Sequence, residues 1–245
     1  MSRLDQKEID EVNRRLSTAE LPEILTWALD RFGARVALSC SFSTEDLVIL
    51  DALHSLDRPF RVFALDTGRV NEETYQTADR VIARYGTKIE WYFPAPDGVE
   101  RLERTHGLYS FRESLERRHE CCSVRKLEPL DRALLDLDAW MTGLMREQSV
   151  TRSEVRLVEI DAAHGGIAKL NPLCHWTSEG VWKTTRGRDI PHNPLYDRGY
   201  ASIGCAPCTR PIGPHEHPRA GRWWWELPEQ KECGLHADFS QGGGI

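Results

Sequence analysis

Arg35-Val36-Ala37-Leu38-Ser39-Cys40-Ser41-Phe42-Ser43-Thr44 passes from an apolar run into a hydroxyl-rich one. Arg35 to Leu38 reads as a short strand, since a continuous apolar run suits a strand covered on both faces. Thr44 to Leu56 follows as a helix with Leu47, Leu50 and His54 on one face, capped by Ser43 or Thr44. A strand entering a helix through a serine-rich turn places backbone N–H groups and hydroxyls where an anion can bind. The turn lacks the Gly-Lys-Ser/Thr ending of a Walker A loop. By itself it is equally a plain capped turn.

Outward from this stretch the unit repeats. Arg61 to Leu65 is a second strand, running into Asp66-Thr67-Gly68. Glu72 to Tyr85 is a helix that stops at Gly86, and Lys88 to Phe93 is a third strand. Strands alternating with helices predict an α/β fold with a mostly parallel sheet and helices on both faces. Ligands of such sheets bind beyond the carboxyl ends of strands, where the serine turn and Asp66-Thr67-Gly68 both fall.

Toward the N-terminus, Asp5 to Ser17 and Leu21 to Arg31 read as helices, the second ended by Gly33. Toward the C-terminus, Pro94 to Gly98 reads as a loop, and Val99 to His106 and Phe111 to His119 as helices. Cys121 to Leu135 continues as helix, bent or restarted at Pro129. Asp138 to Leu144 reads as a strand with a loop after it, and Arg156 to Ile160 and Ile167 to Leu170 as short strands around His164-Gly165-Gly166. Ser178 to Arg188 reads as a helix. From Pro191 onward proline and glycine dominate, and only Pro194 to Arg198 suggests a short helix. There is no solenoid repeat. The expected organisation is an α/β domain over residues 1–218 and an irregular C-terminal segment over 219–245.

The 245 residues are enough to bury a core without disulfides. A net charge of −6 argues against a nucleic-acid binder, which would be basic. The N-terminal stretch is charged and has no signal-peptide core, and no apolar run is long enough for a membrane span, so a cytoplasmic setting is expected. In that reducing compartment the seven cysteines point to metal or redox chemistry more than to structural disulfides.

The cysteines fall into a pattern. Cys121-Cys122 lies within His119 to Lys126, and Cys205-Ala206-Pro207-Cys208 has knuckle spacing. Thiolates favour zinc or iron–sulfur clusters. A four-cysteine zinc site draws on spaced pairs, and adjacent cysteines are awkward on one tetrahedral ion. A cubane spreads its irons and accepts neighbouring thiolates more easily. Spacing therefore favours a cluster over zinc, with a disulfide third. Lys126, four residues after Cys122, shares its helix face. Arg146 and Arg152 flank Glu147-Gln148-Ser149, and Arg219 and Arg222 precede Trp223-Trp224-Trp225. Singly these are surface charges; together they resemble a dianion pocket, since arginine forks match phosphate and sulfate oxygens. Cys233, between Glu232 and Gly234 with Gly242-Gly243-Gly244 behind it, is poorly placed for a core and well placed for a thiol that must move. Cys40 and Cys174, in or near apolar segments, read as structural.

At these residues the chain resembles the PAPS/APS reductases of sulfate assimilation, most closely the assimilatory adenylyl-sulfate (APS) reductases of the iron–sulfur branch. The resemblance rests on Ser39-Cys40-Ser41-Phe42-Ser43-Thr44-Glu45-Asp46, Leu65-Asp66-Thr67-Gly68, the two cysteine pairs, Arg146-Glu147-Gln148-Ser149 and Glu232-Cys233-Gly234-Leu235-His236. Met145 departs from it, where many relatives carry arginine. The resemblance implies an adenine nucleotide alpha hydrolase-like fold. It implies one [4Fe–4S] cluster per chain on Cys121, Cys122, Cys205 and Cys208, and Cys233 as the nucleophile that attacks the sulfur of APS, expels AMP and is left as S-sulfocysteine. Ser41, Ser43, Leu65 and Gly143 would contact the nucleotide; Lys126, Arg152, Arg219 and Arg222 would hold the phosphosulfate. Thioredoxin would be the reductant, with no nucleic-acid or membrane partner, and a homo-oligomer is compatible with the sequence. Three alternatives stand beside this: a PAPS reductase carrying a cluster, an ATP-using tRNA sulfur-transfer enzyme, and a non-catalytic zinc-stabilised or cluster-based sensor. The second would need a Ser-Gly-Gly loop and a basic surface; the loop is absent and the charge is acidic.

Overall fold

The structure is a computed structural model that describes residues 3–148 and 152–227. Its strands form one six-stranded sheet in the order β3-β2-β1-β4-β6-β5. These strands are β1 (Val36–Ser39), β2 (Arg61–Leu65), β3 (Ile89–Tyr92), β4 (Ala139–Met141), β5 (Val158–Asp161) and β6 (Ile167–Leu170). β1 pairs parallel with β2 and with β4, and β4 pairs parallel with β6. The edge strand β5 runs antiparallel against β6. The central strands β1 and β4 are apolar apart from Ser39, and Val36, Ala37, Leu38, Ala139, Trp140 and Met141 are all buried. Residues pointing to opposite faces of one strand can all be buried only if both faces are covered.

The helices are α1 (Gln6–Arg15), α2 (Leu21–Phe32), α3 (Thr44–Ser55), α4 (Glu72–Tyr85), α5 (Pro96–His106), α6 (Leu115–Cys122), α7 (Glu128–Leu134) and α8 (Ser178–Gly187). Their ends follow local chemistry. Asp5 and Glu8 close a capping box on α1, Ser43 caps α3, Ser114 caps α6, and Gly33 ends α2 with φ 55°. Two boundaries differ from expectation. Pro96 to Gly98 belongs to α5, because proline suits the first helical turn, where its missing N–H costs nothing. The helix expected from Phe111 starts at Leu115, after a 3-10 turn over Ser110–Arg112.

Between α6 and α7 the chain makes one π turn, Ser123–Leu127, closed by the Glu128 N–H on the Ser123 carbonyl. Pro129 lies in the first turn of α7, has no N–H for the Arg125 carbonyl, and would crowd it in a straight α-helix. The wider turn relieves that conflict.

The chain forms two compact units. Of the described residues, one comprises 3–64, 72–90, 136–148 and 152–194; the other comprises 65–71, 91–135 and 195–227. Of the expected C-terminal segment 219–245, residues 228–245 lie outside the described residues, Cys233 among them. No helix of the described residues is long and apolar enough to cross a membrane.

Candidate active site

In the first unit, the sheet order reverses direction between β1 and β4: β2 and β3 extend to one side of β1, and β4 leads to the other. This is the switch point at which doubly wound sheets bind ligands. The loop after β1 carries Ser41 and Ser43, and the loop after β4 carries Gly143. A residue outside the expected set ties them together. Asp46, buried in the first turn of α3, accepts from Ser41 N–H and Ser41 Oγ, each at 2.7 Å, and from Gly143 N–H at 3.2 Å. Ser43 Oγ in turn accepts from the Asp46 N–H at 3.3 Å, which leaves its own proton available. A β-carbon on Gly143 would lie 2.6 Å from Asp46 Oδ1 and 2.8 Å from Glu45 Cβ, so only glycine fits here. Burial raises the Asp46 carboxyl to about 6, although the Ser41 donors pull it back.

Arg152 is buried in the same unit, and its Nη1 donates to Gln148 Oε1. The orientation of that amide is set elsewhere: Gln148 Nε2 donates to Glu45 Oε1 at 2.8 Å, and Met145 N–H donates to Gln148 Oε1 at 3.2 Å. Met145 itself is fully buried. Cys40 and Cys174 are buried thiols, as expected of structural residues, and burial pushes Cys174 up to about 11.

In the second unit, Cys121, Cys122, Cys205 and Cys208 line one pocket together with Arg69, Arg118, Arg125, Lys126 and Arg222. The helix explains half of this set. Arg118, Cys121, Cys122, Arg125 and Lys126 recur at three- and four-residue spacing, which makes one stripe. The other half comes from Cys205–Cys208, closed as a 3-10 turn by the Cys208 N–H on the Cys205 carbonyl at 2.9 Å.

The thiols sense one another. Cys208 is pushed up to about 12, first by burial and then by Cys205 and Cys122, while Arg222 acts in the opposite sense. All six described cysteines are free thiols. Among the described residues no three His, Cys, Asp or Glu side chains are grouped closely enough to hold a single metal ion.

Charge in this unit is layered. Glu103 Oε1 accepts from Arg69 Nη2 at 2.7 Å and from Arg125 Nη2 at 2.8 Å, so one carboxylate serves two guanidiniums. Arg125 Nη1 also donates to the Thr67 carbonyl at 2.8 Å, and Thr67 Oγ1 lies 3.2 Å from Cys205 Sγ. Buried Arg118 pairs with Glu226 at 2.6 Å, and its guanidinium lies 4.4 Å from the centre of the Trp223 ring. The Nε groups of Arg125 and Arg222 are buried without a hydrogen-bond acceptor. Two such donors beside four thiols fit a group that brings its own negative charge and acceptor atoms. Leu65 lies at the end of β2, half-buried. Arg219, half-buried, precedes Arg222 by one turn, which the Arg222 N–H closes on its carbonyl at 3.0 Å; it is not among the pocket's lining residues.

Sequence reasoning missed Asp46, Glu45, Gln148, Glu103 and Thr67. Four of them stood inside motifs already noted, but each also has a partner from a distant stretch of chain: Gly143 for Asp46, Gln148 for Glu45, Cys205 for Thr67.

These features define a class: an α/β nucleotide-type fold with a switch-point loop, and a four-thiol centre ringed by cations. Residues 35–211 match the phosphoadenosine phosphosulfate reductase domain, and the chain belongs to that family. It is 52% identical over 229 residues to the adenosine 5'-phosphosulfate reductase of Burkholderia cepacia, covering 90% of this chain and 91% of that one. It is 49% identical over 201 residues to the protein of the same name from Allochromatium vinosum, covering 82% and 78%. Among solved structures, the phosphoadenylyl-sulfate (PAPS) reductase of Candida auris, in a phosphate complex, superposes with a TM-score of 0.74 at 28% identity, covering 86% of this chain and 99% of that one.

Proposed function

We propose that this chain reduces APS to sulfite and AMP in sulfate assimilation, in the cytoplasm, with thioredoxin as reductant. The observation that carries the reading is the pocket in which four free thiols meet five cationic side chains, in a chain half identical to proteins named for APS reduction. The thiolate of Cys233 attacks the sulfur of APS. A sulfur–sulfur bond forms, the sulfur–oxygen bond to the phosphate breaks, and AMP leaves. A thioredoxin thiolate then attacks Cys233 Sγ and releases sulfite. Its second thiol closes a disulfide, so both electrons come from the reductant.

Thiolate attack on an anionic sulfur needs fixed positive charge. Lys126, Arg152, Arg219 and Arg222 supply it at the phosphosulfate oxygens. Ser41, Ser43, Leu65 and Gly143 serve the nucleotide; the Ser43 hydroxyl can donate, whereas the Ser41 proton is already committed to Asp46.

Cys121, Cys122, Cys205 and Cys208 would hold a [4Fe–4S] cluster. The all-thiolate set, the adjacent pair and the buried donors of Arg125 and Arg222 support it over a single ion. When bound, the cluster supplies fixed charge and a staple between Cys121-Cys122 and Cys205–Cys208, not electrons for the reaction.

The test is sulfite release from APS and from PAPS by anaerobically purified protein, with iron, sulfide and zinc analysis and a Cys233→Ser control. APS is expected to be the better substrate. Cys233→Ser should keep its iron and lose all but about a thousandth of the activity, as removal of a nucleophile does. Preference for PAPS, zinc alone, or normal turnover by the variant would each overturn the corresponding part.

A further inference from the structure

Gly204 stands immediately before Cys205, and the Arg222 guanidinium lies against its α-carbon. A β-carbon on Gly204 would sit 2.5 Å from Arg222 Nη2, 2.6 Å from Cζ and 3.0 Å from Nε. Contact with three atoms of the group at once means that its face, not its edge, meets the backbone. On the same guanidinium, Cζ lies 4.6 Å from the centre of the Trp223 ring, a cation–π distance. Nη1 donates to Ser202 Oγ at 3.2 Å and to the Ile203 carbonyl at 3.3 Å. The backbone of Arg222 is held too. Trp223 N–H donates to the Cys208 carbonyl at 3.1 Å, Arg210 N–H to the Gly221 carbonyl at 3.0 Å, and an antiparallel bridge joins Thr209 to Arg222.

Two ordinary reasons for a glycine do not apply at 204. Its φ lies outside the left-handed region, where glycine would be favoured. Its backbone bonds, N–H to Thr209 Oγ1 at 3.1 Å and carbonyl from Asn71 Nδ2 at 3.2 Å, would survive an added methyl group. What forbids a side chain is the guanidinium.

We propose that Gly204 is a positioning residue: by leaving a slot between its own backbone and Trp223, it fixes the Arg222 guanidinium beside the second cysteine pair. The slot sets how Arg222 meets an anionic substrate. The proposal rests on the assignment of Arg222 to the phosphosulfate. A methyl group here meets the far end of a flexible side chain, which yields before backbone does. Alanine should therefore displace the guanidinium and spare the fold.

The experiment compares the cluster-loaded wild type with Gly204→Ala, Arg222→Ala and the double variant. Gly204→Ala is expected to keep full iron and sulfide and to lower kcat/KM for APS about tenfold, as weakening one charge-assisted contact does. In the Arg222→Ala background it should add nothing, since its effect passes through that side chain. Loss of iron from Gly204→Ala, or effects that multiply in the double variant, would sink the proposal. A crystal structure of Gly204→Ala gives a readout independent of turnover. The guanidinium should leave Trp223, and if it stays the slot is refuted whatever the substrate. If wild type makes no sulfite from APS, the functional reading fails by itself, and the crystal structure still decides the slot.

Discussion

In the first unit a buried carboxylate gathers neutral donors; in the second, buried cations gather around thiols. Asp46 collects the neutral donors of Ser41 and Gly143. The cysteine pocket has five cationic side chains, and Glu103 compensates two of them with a single oxygen. The first arrangement ties two loops together and leaves the Ser43 hydroxyl proton uncommitted to Asp46. The second leaves surplus positive charge, which suits a multiply charged anion and thiolate ligands. One chain thus satisfies its buried polar groups in two different ways.

The comparison breaks hardest at Glu103. Glu103→Ala removes the one carboxylate between Arg69 and Arg125, two cations that are largely buried. The expected loss is about 3 kcal/mol, typical of a buried pair deprived of one partner. Urea unfolding of the variant measures it, and an unchanged midpoint would mean that the pocket tolerates its cations unaided.

A smaller effect is expected at Asp46. Its carboxyl is raised by burial from 3.8 to about 6, so between those values the folded chain keeps a proton that the unfolded chain has released. Stability from this group is therefore greatest at and below pH 3.8, declines as pH rises toward about 6, and is at its lowest above that. Ligand binding runs the other way. Protonation below about pH 6 takes an acceptor from Ser41 or Gly143 and should raise KM. Asp46→Asn should flatten both profiles, and an Asn variant that keeps the wild-type pH dependence of KM would remove Asp46 from the account.

The smallest effect belongs to Gln148. Gln148→Ala should raise KM a few-fold, roughly the worth of one hydrogen bond, by releasing Arg152. Steady-state kinetics in wild-type and Arg152→Ala backgrounds check it, since the increment should vanish when Arg152 is absent.

Much of this molecule is local enough to read from residues in order. Ser43 was visible as a cap, Gly33 and Gly86 as helix stops, and Pro129 as a break. The thiol pattern and its chemistry were visible too, because residue type fixes ligand softness. The π turn was not, because a proline signals a conflict without saying how the helix resolves it. Arg219 and Arg222 look alike in sequence, yet only Arg222 reaches the cysteine pocket, because its backbone bridges to Thr209.

The sequence by itself determined the alternation of strands and helices, their caps and the identity of the thiols, all set by neighbours within a turn or a pleat. Only the tertiary structure decided that β1 lies beside β4, so that Asp46 could join their loops. It alone decided that Glu103 stands between Arg69 and Arg125, and that the space left by Gly204 belongs to Arg222. Each of these joins residues far apart in the chain, and a charge or a glycine carries no mark of its partner until packing removes water and leaves one neighbour within reach.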